Sequence, residues 1–432
     1  MALHEISHGQ ESAKIGVVGL GYVGLPLAIL AGIKGYDVLG IDLDKKKVAS
    51  LLSGSSYVSD VSDQDLQALL CTGNIRIQSE YSELLSCDVI VICVPTPLTA
   101  ENKPDYSSLI GAVKGIAAVL RQGQLVILES TVAPGVTEST VLPLLEAGGQ
   151  IGGKDFFLAY SPERIDPGNK SCGLQNTAKL VAGLTDRCLF LAQQMYQALG
   201  IEVISVRTLA IAEMAKLLEN TYRDINIAFI NELAQVCHAC EINIWEVIDA
   251  AATKPFGFQM FYPGPGVGGH CIPVDSVYYS CWARANGVPA KLAEHARLVN
   301  DAMPKYLAGR ISEILQSKGK SLAGSNILVL GVTYKQNIAD LRESPSIELI
   351  SELRRRGCNV SFYDPYVSEI SLSSARLERV YLDEQTVVRQ DCVVLAVAHS
   401  TYNLAWLYDF SPLIFDLTNG MAKFPQEKII KL

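Results

Sequence analysis

Long apolar runs are missing from this 432-residue chain. The longest, residues 23–33, falls well short of the roughly 20 residues that span a bilayer, so no membrane partner is expected. A basic surface is missing too, because 36 Lys and Arg stand against 45 Asp and Glu, a formal charge of −9. Counterion release needs clustered cations, so nucleic acid is not expected as a partner. Anions must then be held locally, at helix N-termini or by single Lys and Arg residues. No low-complexity stretch and no solenoid-type repeat is present. Residues 1–13 lack the apolar stretch of a signal peptide, carry His4, Glu5, His8 and Glu11, and read as a flexible tail. Cysteine, by contrast, is not scarce: there are eleven, an odd number. Most, such as Cys87, Cys93, Cys188 and Cys392, lie in apolar stretches where thiols act as small hydrophobes. That usage suits a reducing cytoplasm, the expected location.

What is present is enough apolar material, 49% of residues, to build several cores. The length suggests about three domains of roughly 150 residues each. Residues 14–19, 37–41, 88–94 and 124–128 read as strands, with a helix over 22–34. Strands apolar on both faces and separated by helices predict a doubly wound parallel sheet. From about 207 to 251 the pattern is helical. A Gly/Pro-rich segment, 255–273, interrupts it, and helix resumes over 275–285 and 289–317, with a kink expected at Pro304. Alternation returns with strands at 326–330, 359–363, 392–397 and 413–415 and a helix over 344–356. The predicted fold is α/β: two Rossmann-like doubly wound domains, 14–205 and 318–432, joined by a central helical domain, 206–317, with a long helix.

Gly19-Leu-Gly21-Tyr22-Val23-Gly24 lies between the first strand and the first helix. In such a loop the first glycine permits the tight turn, the second lets a pyrophosphate approach the backbone, and the third lets helix and strand pack closely. The helix N-terminus faces the phosphates. Asp42 closes the second strand, eighteen positions after Gly24. A carboxylate there accepts from a ribose 2′-hydroxyl and repels a 2′-phosphate, favouring NAD over NADP. Lys45, Lys46 and Lys47 work against that preference or form a solvated helix start; Lys47 is carried as a cofactor contact. A flavin site or a structural loop would use the same glycines, but the strand, helix and acid around them favour a nicotinamide dinucleotide.

The second informative segment is Gly264-Pro-Gly-Val-Gly268-Gly269-His270-Cys271-Ile-Pro273-Val-Asp275. Clustered glycines build cores poorly but let a bulky ligand reach the backbone. Cys271 stands just before a helix start expected at Pro273, where the dipole lowers a thiol pKa from about 8.5. His270 and Asp275 are nearby titratable groups. A buried structural cysteine is one reading. A zinc site is a second, with Cys237, His238 and Cys240 as the nearest further ligands, but their helix favours packing and no metal is expected. A covalent nucleophile is the third, and beside NAD it implies oxidation of an aldehyde through a thiohemiacetal and a thioester. Lys216 and Asn220, four residues apart, share one face of an otherwise apolar helix. A buried lysine needs a partner or a function, and Glu213 or Glu219 would be the plain partner.

The chain resembles the UDP-glucose/GDP-mannose dehydrogenase family over nearly its whole length. The matching segments are Gly-Leu-Gly-Tyr-Val-Gly-Leu-Pro (19–26), Val-Pro-Thr-Pro (94–97), Glu-Ser-Thr-Val (129–132) and Ser-Pro-Glu-Arg (161–164). Lys216 with Asn220, Gly-Gly-His-Cys (268–271), Gly-Val-Thr-Tyr-Lys (331–335) and Leu-Arg-Glu-Ser (341–344) complete the set. The resemblance implies a four-electron oxidation of a sugar C6 alcohol to a carboxylate with two NAD⁺ per turnover. It makes Cys271 the nucleophile, and Lys216 and Asp275 the groups that steady the oxyanion and orient water. Asn220 becomes a substrate contact, and Glu163 and Thr131 take part in proton handling and water placement. Tyr22, Val23, Thr96, Thr131 and Arg342 become cofactor contacts beside the glycines and Asp42. Arg164, Tyr262, Gly268 and Lys335 join Glu163, Lys216 and Asn220 on the substrate, so that 318–432 is the UDP-sugar half. The central helices become the contact of a homodimer or higher homo-oligomer.

The UDP-glucose type differs at several of these places. It has Ser where this chain has His270, Lys where it has Val274, Asn-Pro-Glu-Phe at 161–164, and an arginine where this chain offers only Lys254. The stretch from Lys254 to Gly266, followed by His-Cys-Ile-Pro, looks more like UDP-N-acetylhexosamine dehydrogenases that feed surface polysaccharides. UDP-N-acetylglucosamine is the first expectation, with the galactosamine and mannosamine isomers and UDP-glucose behind it.

Overall fold

Residues 13–58, 60–165, 173–269, 271–373 and 375–432 are described in the computed structural model. Most of the N-terminal tail, and His270, lie outside them. The chain divides into two compact units between Glu219 and Asn220, inside the long helix Leu209–Ala239.

Short β-branched runs set the first unit. Its strands are β1 (Lys14–Val18), β2 (Asp37–Ile41), β3 (Ile75–Gln78), β4 (Val89–Ile92), β5 (Leu125–Leu128), β6 (Phe157–Tyr160), β7 (Lys179–Gly183) and β8 (Val203–Ser205). They form one sheet in the order β3-β2-β1-β4-β5-β6-β7-β8, parallel throughout except at β6 and β7. β4 and β5, Val-Ile-Val-Ile and Leu-Val-Ile-Leu, are wholly buried because both sheet faces are covered. Alternate side chains go to opposite cores. Val17, Val89 and Val91 pack with helices Gly24–Ile33 and Asp186–Ala198, whereas Val18, Ile90 and Ile92 pack with helix Ser107–Ala117. The strand order reverses between β1 and β4, which opens a crevice at their carboxyl ends.

The second unit adds helices Ile244–Ala252, Ile272–Ala285 and Lys291–Ser317. Strands β9 (Asn326–Leu330), β10 (Asn359–Tyr363), β11 (Glu369–Ser371), β12 (Arg376–Glu378), β13 (Cys392–Leu395), β14 (Ile414–Asp416) and β15 (Ile429–Lys431) follow. β11 and β12 form a separate antiparallel pair. The others make a parallel sheet in the order β10-β9-β13-β14-β15, with its own reversal between β9 and β13. Helices Lys291–Ser317 and Pro345–Arg355 bury Met303, Leu307, Ile311, Leu349 and Leu353 against Ile327 and Val329.

Two boundaries differ from the sequence expectation. The first helix ends at Ala239; Glu241 is left-handed (φ 57°), and Asn243 restarts the chain by accepting from the Trp245 N–H. The helix expected at 275 begins at Ile272, because a proline in the first turn forfeits no hydrogen bond. Lys291–Ser317 carries Pro304 inside one helix, at the place where the kink is expected. No helix among the described residues is long and apolar enough to cross a membrane.

Candidate active site

The loop after β1 uses its three glycines differently. Gly19 is left-handed (φ 94°), and a Cβ on it would lie 2.6 Å from the Cys93 carbonyl oxygen. A Cβ on Gly24 would lie 1.9 Å from the Gly19 carbonyl oxygen. These two are fixed by the protein's own packing. A Cβ on Gly21 meets nothing within 4 Å, so the space above it is open to a ligand. Val23 caps the following helix without a side-chain hydrogen bond. The Leu25 N–H donates to the Gly21 carbonyl (3.1 Å) and Pro26 has no N–H, so what this helix N-terminus offers an anion is chiefly its dipole. Asp42 follows β2. Its Oδ2 accepts from the Leu20 N–H (3.0 Å) and its Oδ1 from the Asp44 N–H (2.9 Å), so the carboxylate is aimed before any ribose arrives. Lys47 Nζ lies 3.9 Å from it, while Lys45 and Lys46 are exposed on a helix capped by Asp44. The Ser130 hydroxyl donates to the Val94 carbonyl (2.7 Å) and ties the loop carrying buried Thr96 to the one carrying Thr131. An oriented acceptor, an open glycine and a helix N-terminus behind it fit NAD.

Glu163 follows β6. Its Oε1 accepts from the N–H groups of Arg164 (2.6 Å) and Ile165 (2.7 Å), and its Oε2 lies 3.2 Å from Lys179 Nζ. Burial would push its carboxyl up, but Lys179, the Ile165 N–H, Lys216 and the Arg164 N–H together hold it below the ordinary glutamate value. Lys216 is itself buried. Both carboxylates expected as its plain partner are committed elsewhere. Glu213 accepts from Gly135 N–H (2.5 Å), Thr137 N–H (2.9 Å) and the Thr137 hydroxyl (2.6 Å). Glu219 takes both the Nε (2.9 Å) and an Nη (2.8 Å) of Arg164, whose other Nη donates to the Ala178 carbonyl.

In the second unit, Cys271 is exposed and caps helix Ile272–Ala285, its carbonyl accepting from the Asp275 N–H (2.9 Å). Asp275, in the first turn of that helix, is buried and accepts from Asn220 Nδ2 (2.5 Å), so an amide and a carboxylate meet there. The glycine loop before it is moored at both ends. The Gly264 N–H donates to Asn231 Oδ1 (2.9 Å), and Asn231 Nδ2 donates to Asn300 Oδ1 (2.9 Å). Asn300 Nδ2 and Arg297 both donate to Asp224 Oδ1. The Gly269 N–H donates to the Arg342 carbonyl (3.0 Å). Most of the glycines answer to this packing rather than to a ligand. A Cβ on Gly268 would lie 2.7 Å from the Glu343 carbonyl oxygen and from Tyr334 Cβ, and one on Gly269 2.8 Å from the Tyr334 ring. Gly264 alone of the loop's glycines named here faces open space.

A cleft of about 530 Å³ opens beside that loop, at the carboxyl ends of β9, β13 and β14. Trp245, Tyr262, Gly264, Tyr334, Lys335 and Asn419 line it. Tyr262 stacks on Trp245 (centroids 5.7 Å, planes 30° apart), which fixes one flat apolar wall. This is the crevice at a reversed strand order where α/β sheets hold nucleotides. The loop bearing Lys335 is pinned from below by buried Asp364. Its Oδ2 accepts from the Val332 N–H (2.8 Å) and from His399 Nε2 (3.0 Å), while His399 Nδ1 accepts from the Asn337 N–H (3.0 Å). Burial would raise the Asp364 carboxyl, but the bonds from His399, Val332 and Tyr366 outweigh it and hold the group below the ordinary aspartate value. Arg342 pairs with Asp340 through Nε (3.0 Å) and an Nη (2.6 Å). The ten described cysteines form no disulfide, and among the described residues no cluster of His, Cys, Asp or Glu is placed to hold a metal.

Models of the UDP-glucose/GDP-mannose dehydrogenase family match in series: the NAD binding domain over residues 13–200, the central domain over 210–302 and the UDP binding domain over 328–423. The chain belongs to this family. It is an NAD-dependent nucleotide-sugar dehydrogenase whose substrate is a UDP-sugar. It is 34% identical over 400 residues to the UDP-N-acetyl-D-glucosamine 6-dehydrogenase of Salmonella typhi, covering 91% of this chain and 92% of that one. The structure of a UDP-D-ManNAc dehydrogenase from Pyrococcus horikoshii superposes with a TM-score of 0.87 at 33% identity, covering 97% and 98% of the two chains. A UDP-N-acetyl-mannosamine dehydrogenase of Staphylococcus aureus gives 0.84 at 32% identity, with the same coverage.

Sequence reasoning missed part of what holds this dehydrogenase's polar groups. Lys179, Glu129 and Tyr196 behind Glu163, Asn231 and Asn300 behind the glycine loop, and Asp364 and His399 behind Lys335 were not singled out. The one local signal was Lys179, a cation opening the apolar run Lys-Leu-Val-Ala-Gly.

Proposed function

We propose that this enzyme oxidises the C6 alcohol of a UDP-N-acetylhexosamine to the carboxylate, with UDP-N-acetylglucosamine as the first choice of substrate. NAD⁺, when bound, accepts a hydride in each of two oxidations. In the first, the C6 alcohol loses a hydride and a proton and becomes the aldehyde. The Cys271 sulfur then adds to the aldehyde carbon, forming a C–S bond as the carbonyl oxygen takes up a proton. Loss of a second hydride and that proton leaves a thioester. Water attacks it, the C–S bond breaks, and the carboxylate and the thiol are released. Lys216 steadies the oxyanion, Asp275 held by Asn220 orients water, and Glu163 with Thr131 handles the proton. Gly19, Gly21, Tyr22, Val23, Gly24, Asp42, Lys47, Thr96, Thr131 and Arg342 are assigned to the cofactor. Arg164, Tyr262, Gly268 and Lys335 are assigned to the UDP-sugar.

The observation that carries this reading is the exposed thiol at the N-terminus of a helix whose first turn carries buried Asp275, bonded to Asn220. An apolar environment would have argued for a structural cysteine. The functional division follows: 14–205 for NAD, 206–317 for the thiol loop and self-association, 318–432 for the UDP moiety. Tyr222, Phe229 and Val236 recur every seven residues on one helix, each more than 40% exposed, and are proposed as a homodimer contact. The ten described cysteines, all free, favour the cytoplasm.

UDP-N-acetylmannosamine is the second reading, favoured by the two solved structures above. NADH formation measured with UDP-glucose and with the N-acetyl-glucosamine, -galactosamine and -mannosamine sugars decides between them. The highest kcat/KM is expected with UDP-N-acetylglucosamine; turnover of UDP-glucose alone would overturn the N-acetylhexosamine assignment.

A further inference from the structure

A cation sits where the described chemistry gives it nothing to do. Lys179 opens β7 with its side chain 2% exposed, and its Nζ lies 2.9 Å from Glu129 Oε2 and 3.2 Å from Glu163 Oε2. Glu129 follows β5 and is fully enclosed; its other oxygen takes the hydroxyl of buried Tyr196. The ammonium also lies over the Tyr196 ring, 5.1 Å from its centroid. Five groups therefore face this spot from the surrounding elements: Glu129, Glu163 and Tyr196, the thiol of Cys93 beyond β4, and Lys216 from the long helix. Glu129, Lys179, Glu163 and Lys216 alternate in sign. Only the last two belong to the proposed chemistry.

We propose that Lys179 is a positioning residue that keeps Glu163 ionised and aimed, and so sets the acidic limit of the reaction. This rests on the assignment of Glu163 to proton handling made above. The geometry leaves little else to do the work. Two buried carboxylates within reach of one ammonium can both stay ionised only while the ammonium is there; without it they must share a proton. The two N–H groups on Glu163 Oε1 fix one oxygen, and Lys179 fixes the other, so the carboxylate has no remaining rotation. The directions of titration agree. Burial raises Glu129 more than Lys179 lowers it, whereas the cations and N–H groups around Glu163 bring that carboxyl below its ordinary value. A proton entering the cluster therefore goes to Glu129 first, and Glu163 is protected.

The test is the pH dependence of kcat for NADH formation from UDP-N-acetylglucosamine, in wild type and in Lys179→Met, Lys179→Arg, Glu129→Gln and Glu163→Gln, with thermal unfolding of each. Lys179→Met should move the acidic limb upward by on the order of 1–3 pH units, and Lys179→Arg should restore it. Glu129→Gln, which gives Glu163 the whole cation, should move the limb downward, and this variant decides the matter if Lys179→Met does not fold. A Lys179→Met or Glu129→Gln profile that superposes on wild type overturns the proposal and leaves a structural ion cluster. Glu163→Gln separates the two levels. If it retains wild-type turnover, the assignment of Glu163 itself fails; if it is impaired while the Lys179→Met limb stays put, only the role of Lys179 fails.

Discussion

Gly21 and Gly24 lie three residues apart in one loop, yet the same substitution should fail for opposite reasons. A Cβ at Gly24 would stand 1.9 Å from the Gly19 carbonyl oxygen, about 1.5 Å short of ordinary contact, and 3.1 Å from Cys93 Cβ. The first obstacle belongs to the sheet's first βα turn and the second to the residue after β4, so the helix must move bodily or the turn must open. Overpacking of that kind costs about 1–3 kcal/mol. For a unit of this size that lowers the melting temperature by roughly 2–12 °C. Gly24→Ala should therefore unfold early without any ligand. Gly21→Ala meets nothing within 4 Å and should leave the apo melting temperature unchanged or slightly raised. Its methyl occupies the space through which a pyrophosphate approaches, so NAD⁺ affinity should fall at least about tenfold, some 1.4 kcal/mol. Calorimetric NAD⁺ titration and thermal unfolding of both variants check the pair. Wild-type NAD⁺ affinity in Gly21→Ala would refute the reasoning, because the cofactor would then pass elsewhere.

Three further outcomes are expected. Asn231→Ala strips a buried acceptor from the Gly264 N–H and a donor from Asn300; it should cost about 1–3 kcal/mol and lower kcat while NAD⁺ affinity holds, and an unchanged kcat would detach the moorings from the chemistry. The depressed carboxyl of Asp364 stabilises the fold above its unfolded pKa of about 3.9 and loses that contribution as pH falls through its lower folded value. Denaturant midpoints taken from pH 6 to pH 2 should thus fall less steeply in Asp364→Asn than in wild type, and parallel curves would rule the carboxylate out as a source of acid sensitivity. Phe229→Glu, on the exposed apolar row, should halve the mass seen by light scattering if that row joins two copies; an unaltered mass removes the row from the contact.

Much of the fold was legible because its strands obey simple chemistry. β1, β2, β4, β5, β9 and β13 are short runs rich in Val, Ile and Leu, and burial on both faces keeps their centres apolar, whereas β10, Asn-Val-Ser-Phe-Tyr, alternates between buried and less buried residues. β3, Ile-Arg-Ile-Gln, and β8, Val-Ile-Ser, carry weaker signals, since one alternates with exposed polar residues and the other is a three-residue edge. The antiparallel pairing of β6 with β7 has no local signature at all. The site shows the same division. Gly21, Asp42, Lys216, Asn220 and Cys271 stand out as candidates because glycine loops and polar residues on apolar faces are locally anomalous, whereas Lys335 is marked only by the family resemblance. Lys179 and Glu129 sit 50 residues apart and become partners only because β7 runs antiparallel to β6, which brings the start of β7 to the carboxyl end of β5. Asn231 and Asn300 read as ordinary helix residues until two helices bring their amides together.

The central claim is that two oxidations occur on one enzyme with a thioester on Cys271 between them. Counting NADH against UDP-sugar consumed, in wild type and in Cys271→Ser, tests it most directly. Two NADH per sugar, no released aldehyde, and loss of carboxylate formation in the serine variant are the predicted results. One NADH per sugar with aldehyde in solution, or a serine variant that still forms carboxylate at the wild-type rate, would contradict it.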